Sequence, residues 1–161
     1  MSAGAADGRG RSDPYAVFRP RQGRRVALTL AVLSVVIFTA VALSMPWVDP
    51  RLGGATVIDR VLLVCFGLAL AAALWRFASI RATPSPGGLV VRNLVTTRRL
   101  EWPQIIRVQF GGGAPWVSVD LDDTDTVAVM AIQRADGDVG TAEAARLSAL
   151  VQVHSRPGPT V

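Results

Sequence analysis

The sequence contains few of the side chains from which catalytic and metal sites are usually built. Its 161 residues include one cysteine and one histidine. Cys65 alone excludes an intramolecular disulfide, and His154 alone leaves no set of residues for a catalytic triad or a zinc site. We therefore expect a chain with no catalytic residues, no bound metal and no cofactor.

Charge is also scarce, and it is unevenly placed. Charged residues make up 18% of the chain, and the formal net charge is +5. Residues 1–25 carry six arginines and two aspartates, whereas residues 81–161 carry eight arginines and eight acidic residues. The basic character belongs to the N-terminal tail. Since nucleic-acid binding favours a basic face on the folded domain, we expect no nucleic-acid partner.

Residues 26–48 contain no charged side chain and are long enough to cross a hydrocarbon core, which takes about 20 residues. A cleaved signal peptide is the alternative, because Arg24 and Arg25 precede the apolar run. The run is too long for a typical signal peptide, and a second apolar run follows closely. The pattern therefore favours an uncleaved transmembrane helix.

The second uncharged run, residues 61–75, lies between Arg60 and Arg76. Arginine side chains can extend outward from both ends of such a run, so we predict a second span over residues 58–79. Residues 49–57 then form a short external loop. The lipid bilayer is thus the first predicted partner, crossed twice.

Small residues recur at a spacing of four in the second predicted span. Gly67 and Ala71 form one pair, and Ala69 and Ala73 form another. Such pairs allow helices to approach closely. They predict either tight packing within a helical hairpin or a dimer face.

The positions of the arginines predict the orientation of the hairpin. Arg76, Arg81 and Arg92 follow the second span, and the arginines beside the first span are Arg19, Arg21, Arg24 and Arg25. The positive-inside rule then places the protein in the plasma membrane with both termini in the cytoplasm. The four tail arginines either act only as this topology signal or also contact anionic headgroups, at about 1 kcal/mol per charge.

Residues 1–25 show no hydrophobic period, and we predict a disordered cytoplasmic tail there. Tyr15 and Phe18 are its larger apolar residues. They either enter the membrane interface or pack on the folded domain.

From residue 88 onward, apolar and polar residues alternate in short runs separated by turn residues. The predicted strands cover residues 89–92, 95–101, 104–110, 116–121 and 126–132. Residues 84–88 are expected to break the second helix and start the soluble part. In the third strand, Ile106, Val108 and Phe110 are expected to share a face. The last strand is apolar on both faces, which predicts a central or covered position.

A C-terminal amphipathic helix is predicted to follow, with Thr141 as its N-cap. The residues expected on its apolar stripe are Ala142, Ala145, Ala149, Leu150 and Val153. Glu143 and Arg146 are spaced to pair on the outer side. Residues 156–161 are expected to be flexible. The fold class is α+β, with an antiparallel sheet capped by a helix.

Several sequence pieces resemble a known family. After two apolar runs come VRNLVTTRRLEWPQI, APW and AIQ, in that order. Residues 80–153 thereby resemble the bacterial PH-like domain of the low molecular weight protein antigen 6 family. The resemblance implies a PH-like antiparallel β-barrel or sandwich over residues 80–155, capped by the C-terminal helix. It implies no particular activity, because members have no established enzymatic role.

The resemblance also singles out three arginines, because PH domains that bind phosphoinositides place basic residues near the first hairpin. Arg92, Arg98 and Arg99 lie around that hairpin and form a candidate site for lipid headgroups. Their other interpretation is an exposed strand face. The sequence therefore predicts a non-catalytic, membrane-anchored module at the cytoplasmic face that binds a protein partner or its own copy. The alternative is binding of anionic lipid by the domain and the arginine-rich tail.

Overall fold

The computed structural model describes residues 13–45 and 55–155. Predictions for residues 1–12, for residues 46–54 (the end of the first predicted span and most of the external loop) and for residues 156–161 lie outside the described residues. The elements are α1 (Arg21–Ser44), α2 (Val57–Ala78), β1 (Arg81–Ser85), β2 (Gly88–Arg92), β3 (Thr97–Leu100), β4 (Ile105–Gln109), β5 (Trp116–Leu121), β6 (Thr126–Gln133) and α3 (Asp138–Ser155).

Helices α1 and α2 pack against each other as a hairpin, and each is long and apolar enough to cross a membrane. Of the most apolar 18-residue stretch of each helix, only 22% is buried in α1 and 6% in α2. A core helix of a soluble protein would bury most of its apolar side chains. The two helices instead leave a wide apolar surface uncovered.

Two close contacts between α1 and α2 hold the hairpin together. The Ser34 hydroxyl donates to the Gly67 carbonyl oxygen at 3.0 Å. A Cβ atom at Gly67 would lie 2.7 Å from the Cβ of Phe38, so α1 can approach only because this residue is glycine. Ala69 and Ala73 are exposed. Of the two predicted pairs, the one containing Gly67 therefore faces α1, and the other faces outward.

Arg60 differs from its prediction, because its side chain does not extend away from the helices. The residue is buried, and its guanidinium donates to the carbonyl oxygens of Ala42 at 2.9 Å and Met45 at 2.6 Å. These carbonyls belong to the C-terminal end of α1, where the negative end of the helix dipole favours a cation. Arg60 of α2 thus caps α1.

The six strands form two antiparallel three-stranded sheets, in the orders β1-β2-β3 and β4-β5-β6. Their inner faces and α3 enclose one hydrophobic core, which includes Leu89, Val91, Val117, Val119 and Leu147. Among the described strands, none pairs across from one sheet to the other. The predicted sandwich capped by a C-terminal helix is therefore confirmed, whereas a closed barrel is not formed.

The end of strand β1, at Pro84 and Ser85, occupies the first two residues of the predicted helix-breaking turn. Pro84 pairs with Leu89 in the antiparallel register of β1 and β2. Proline cannot donate to a sheet ladder but is tolerated in an edge strand. The turn itself is shorter than predicted and ends at Gly88. The φ of Gly88 is 154°, and a Cβ atom added there would lie 2.3 Å from the Leu100 carbonyl oxygen, so this position requires glycine.

Strands β4 and β6 also depart from expectation. The register of β4 shifts between Ile105 and Arg107, so Ile105 is buried while Ile106 is 66% exposed instead of sharing an inner face with its neighbours. Strand β6 pairs only with β5 among the described strands. It is therefore covered rather than central, and Asn93 covers part of its open edge by donating to the Ala128 carbonyl at 2.7 Å.

Helix α3 buries a different side from the predicted one. It begins at Asp138, three residues before the expected cap, Thr141. Of the predicted stripe, only Leu150 is buried, while Ala142, Ala145, Ala149 and Val153 are exposed. The buried residues are Gly140, Ala144, Leu147, Leu150 and Val151. The Glu143–Arg146 pair is confirmed, with nitrogen and oxygen 2.5 Å apart.

The N-terminal segment over residues 13–20 packs on the domain, which corrects the prediction of disorder through residue 25. Phe18 is 1% exposed and exchanges two backbone hydrogen bonds with Ala82 of β1, of 2.9 and 3.1 Å. The Arg146 guanidinium lies 4.0 Å from the centre of the Phe18 ring. Helix α1 then begins at Arg21. Of the two interpretations of Tyr15 and Phe18, packing on the domain is the one observed.

Candidate functional site

The strand register divides the three arginines of the predicted headgroup site. Arg92 is paired with Arg81, and Arg99 with Val90, on the outward face of the first sheet. Arg98 is paired with buried Val91 and so points to the opposite side. There its guanidinium donates to Asp125 at 2.9 Å. Arg92 and Arg99 therefore share a face, and Arg98 does not belong to it.

Two further arginines join Arg92 at the end of this face that adjoins the helices. A shallow depression is lined by Arg76 from the last turn of α2, by Arg81 and Thr83 from β1, and by Arg92. The Nη1 atom of Arg76 is buried and has no hydrogen-bond partner among the described residues. In the sequence, Arg76 and Arg81 were noticed only as a topology signal. Their convergence with Arg92 depends on the antiparallel pairing of β1 with β2.

A second depression adjoins the first where the helices meet the domain. Arg19, Arg24 and Arg81 line it together with Leu28 of α1 and Trp75 of α2. Of the four tail arginines singled out in the sequence, Arg19 and Arg24 contribute to it. Arg21 and Arg25 are exposed and are not among its lining residues.

The backbone around these arginines is held by the domain. The backbone N–H groups of Arg21 and Gln22 donate to the carboxylate of Asp136 at 3.0 and 2.8 Å. A carboxylate in this position satisfies otherwise unpaired donors of the first turn and complements the helix dipole. Asp136, which precedes α3, therefore fixes the start of α1 against the domain.

We call the arginines of the two depressions the basic band; its members are Arg19, Arg24, Arg76, Arg81 and Arg92. Within the described part of the chain, no acidic residue lines either depression. The ion pairs found among the described residues lie elsewhere, at Arg98–Asp125 and Glu143–Arg146. The band therefore groups positive charge from the start of α1, the end of α2 and the first two strands.

The single histidine and the acidic turn between β5 and β6 have structural roles. The side chain of His154 lies 3.1 Å from the Tyr15 hydroxyl and stacks on Trp102 at a centroid distance of 4.9 Å. Asp125 pairs with Arg98 in the turn between β5 and β6. Within residues 13–45 and 55–155, no cluster of three or more metal-ligating side chains is found.

The second sheet presents a strand edge that is free of partners within the described chain. Strand β4 pairs with β5 on one side only. Ile106 on this strand is 66% exposed, although isoleucine is usually buried. A free edge with an exposed apolar side chain can accept an extended peptide as an additional strand.

Comparison with known proteins places the chain among bacterial relatives. Residues 80–148 match the model of a bacterial PH domain. Uncharacterized proteins of Mycobacterium bovis and of two strains of Mycobacterium tuberculosis are 36% identical over 126 residues, which cover 76% of this chain and 79% of each relative. No solved structure shows significant similarity. PH-like domains of this kind are generally non-catalytic and serve as protein or lipid interaction modules. The chain belongs to the bacterial PH domain family.

Proposed function

We propose that this protein is a non-catalytic interaction module anchored in the plasma membrane by α1 and α2, with its PH-like domain and both termini in the cytoplasm. The apolar surface that the two helices leave uncovered carries the proposal. Exposed Leu30, Leu33, Val36, Leu62 and Phe66 would lie in hydrocarbon rather than in water. The resemblance of residues 80–153 to the low molecular weight protein antigen 6 family is part of the same proposal.

Membrane extraction tests the anchoring. We expect the full chain to stay in the membrane fraction after washing with alkaline carbonate and to be released by detergent. A double variant, Val36→Arg with Leu68→Arg, should be retained less well, because each arginine at the centre of a span costs about 2.5–3.5 kcal/mol. Val95→Arg in the exposed β2–β3 turn is the matched control. Release of the unsubstituted chain by carbonate would refute the anchoring.

We propose that the module binds a protein partner or its own copy through the free edge of β4. The exposed Ile106 side chain next to that edge supports this surface. Site-specific photocrosslinking from position 106 in cells should give one discrete adduct, whereas position 95, which is also exposed, should give none. Equal adducts from both positions, or none from position 106, would argue against this surface.

Binding of anionic lipid is the second candidate, and the convergence of Arg76, Arg81 and Arg92 favours it. The two functions differ in their response to salt, because headgroup binding by arginines weakens as ionic strength rises. Association through an apolar strand edge should change little over the same range.

A further inference from the structure

We propose that the basic band, Arg19, Arg24, Arg76, Arg81 and Arg92, is a binding site for the phosphate of one anionic lipid headgroup from the cytoplasmic leaflet. The inference rests on the proposed function, because it requires that α1 and α2 cross the membrane. The sequence-based hypothesis already included Arg92 and, in the tail, Arg19 and Arg24; the structure adds Arg76 and Arg81. The site lies at the joint between the hairpin and the domain rather than around the first hairpin of the sheet.

The walls of the depression at the joint match the two parts of a lipid molecule. Leu28 and Trp75 belong to the apolar helices, and Arg19, Arg24 and Arg81 surround the same space. Trp75 is 67% exposed, and tryptophan is favoured at the level of the lipid headgroups. A free phosphate ion would use only the arginines. An anionic lipid can place its phosphate against them and its acyl chains along Leu28 and Trp75.

The chemistry of the band favours phosphate over a carboxylate on a flexible side chain. Guanidinium groups bind phosphate oxygens through paired, charge-assisted hydrogen bonds. Among the residues that the structure describes, no acidic side chain lines either depression of the band. A phosphate with several acceptor oxygens can accept hydrogen bonds from more than one guanidinium of the band at once.

The band is also preorganised, which distinguishes it from an arginine-rich tail. Arg19 stands between Phe18 and Pro20, both of which are buried in the domain. Arg24 follows the helix start that Asp136 caps, and Arg81 is held in the ladder between β1 and β2. Because the backbone at these positions is already ordered, binding costs less conformational entropy than ordering a free segment would.

Native mass spectrometry of the full chain, released from nanodiscs of mixed phosphatidylglycerol and phosphatidylcholine, tests the site. We expect the chain to retain one phosphatidylglycerol in preference to phosphatidylcholine. Arg24→Gln with Arg81→Gln should lower that retention by at least about tenfold, because a charge-assisted hydrogen bond is worth roughly 1.4 kcal/mol or more. Arg21→Gln with Arg25→Gln removes the same charge from exposed positions near the band and should retain the lipid.

Each other outcome overturns the site. Equal loss in both double variants would mean that only net charge matters. Equal lipid retention in both double variants would mean that the band does not bind lipid. Displacement by millimolar inorganic phosphate would mean that the band binds free phosphate.

Failure of the anchoring is distinguishable from failure of the site, because carbonate would then release the unsubstituted chain whatever its lipid retention. If the variants unfold at the same temperature as the unsubstituted chain, misfolding is excluded as the cause of lower lipid retention.

Discussion

At the scale of single residues, Asn93 links the two sheets. It is 8% exposed, and its amide nitrogen donates to the Ala128 carbonyl while its amide oxygen accepts from the Met130 N–H at 3.3 Å. A buried asparagine satisfied in this way costs little, but its removal leaves two backbone groups of β6 without partners.

Asn93→Ala should therefore lower the free energy of unfolding by about 1–3 kcal/mol. Urea unfolding of the full chain in detergent, followed by tryptophan fluorescence, measures this change. Val95→Ala lies in the same turn at a side chain that is 83% exposed, and it should change stability by less than about 0.5 kcal/mol. Similar effects of the two substitutions would contradict the role assigned to Asn93.

Single residues also show where sequence periodicity stops being informative. Alternation along β5 agrees with burial, because Val117, Val119 and Leu121 are buried and the residues between them are only partly buried. It was wrong at Ile106, because the register shift beside it cannot be recognised in the sequence. It could not separate Arg98 from Arg99 either, since which of two adjacent arginines faces outward depends on the register with β2.

At the scale of elements, the segment over residues 13–20 belongs to the domain. Phe18 sits in the core, where Ala82 and Arg146 contact it. Phe18→Ala should destabilise the domain by about 3–5 kcal/mol, as expected for truncation of a buried phenylalanine. Val17→Ala, at a side chain that is 39% exposed, is the matched control in the same unfolding assay. A tail that is not part of the fold would give the same small effect at both positions.

The helical hairpin offers a similar contrast between a packed and an exposed small residue. Gly67→Leu should separate α1 from α2, because Phe38 occupies the space that the new side chain needs. We expect a loss of about 1–3 kcal/mol, typical of overpacking. Ala69→Leu faces outward and should have little effect on thermal unfolding in detergent. The opposite ranking would indicate that the second pair, not the first, is the packing face.

Helix α3 shows why an element can be predicted while its orientation is not. Its existence follows from spacing and composition, but its sequence is rich in alanine, so small apolar residues occur on every side. The buried side is fixed by contacts that periodicity does not reveal. At Gly140, for example, an added Cβ would lie 2.2 Å from the Gln133 carbonyl oxygen.

At the scale of the whole molecule, the sequence predicts the parts better than their joints. Two apolar helices, an antiparallel sheet and a closing helix follow from length, charge and alternation, and the family resemblance implied a barrel or sandwich. The joints depend on contacts between distant residues, such as Asp136 with the start of α1 and Tyr15 with His154. The basic band lies at such a joint, so its five arginines could not be grouped from the sequence alone.

The central claim is that the hairpin holds the domain at the cytoplasmic face of the membrane, and cysteine accessibility tests it most directly. In a Cys65→Ala background, Val95→Cys reports on the domain and Ala55→Cys on the opposite end of the hairpin. With a membrane-impermeant maleimide on intact cells, we expect position 55 to be labelled and position 95 to be labelled only after lysis. Labelling of position 95 in intact cells, or of both positions alike, would contradict this account.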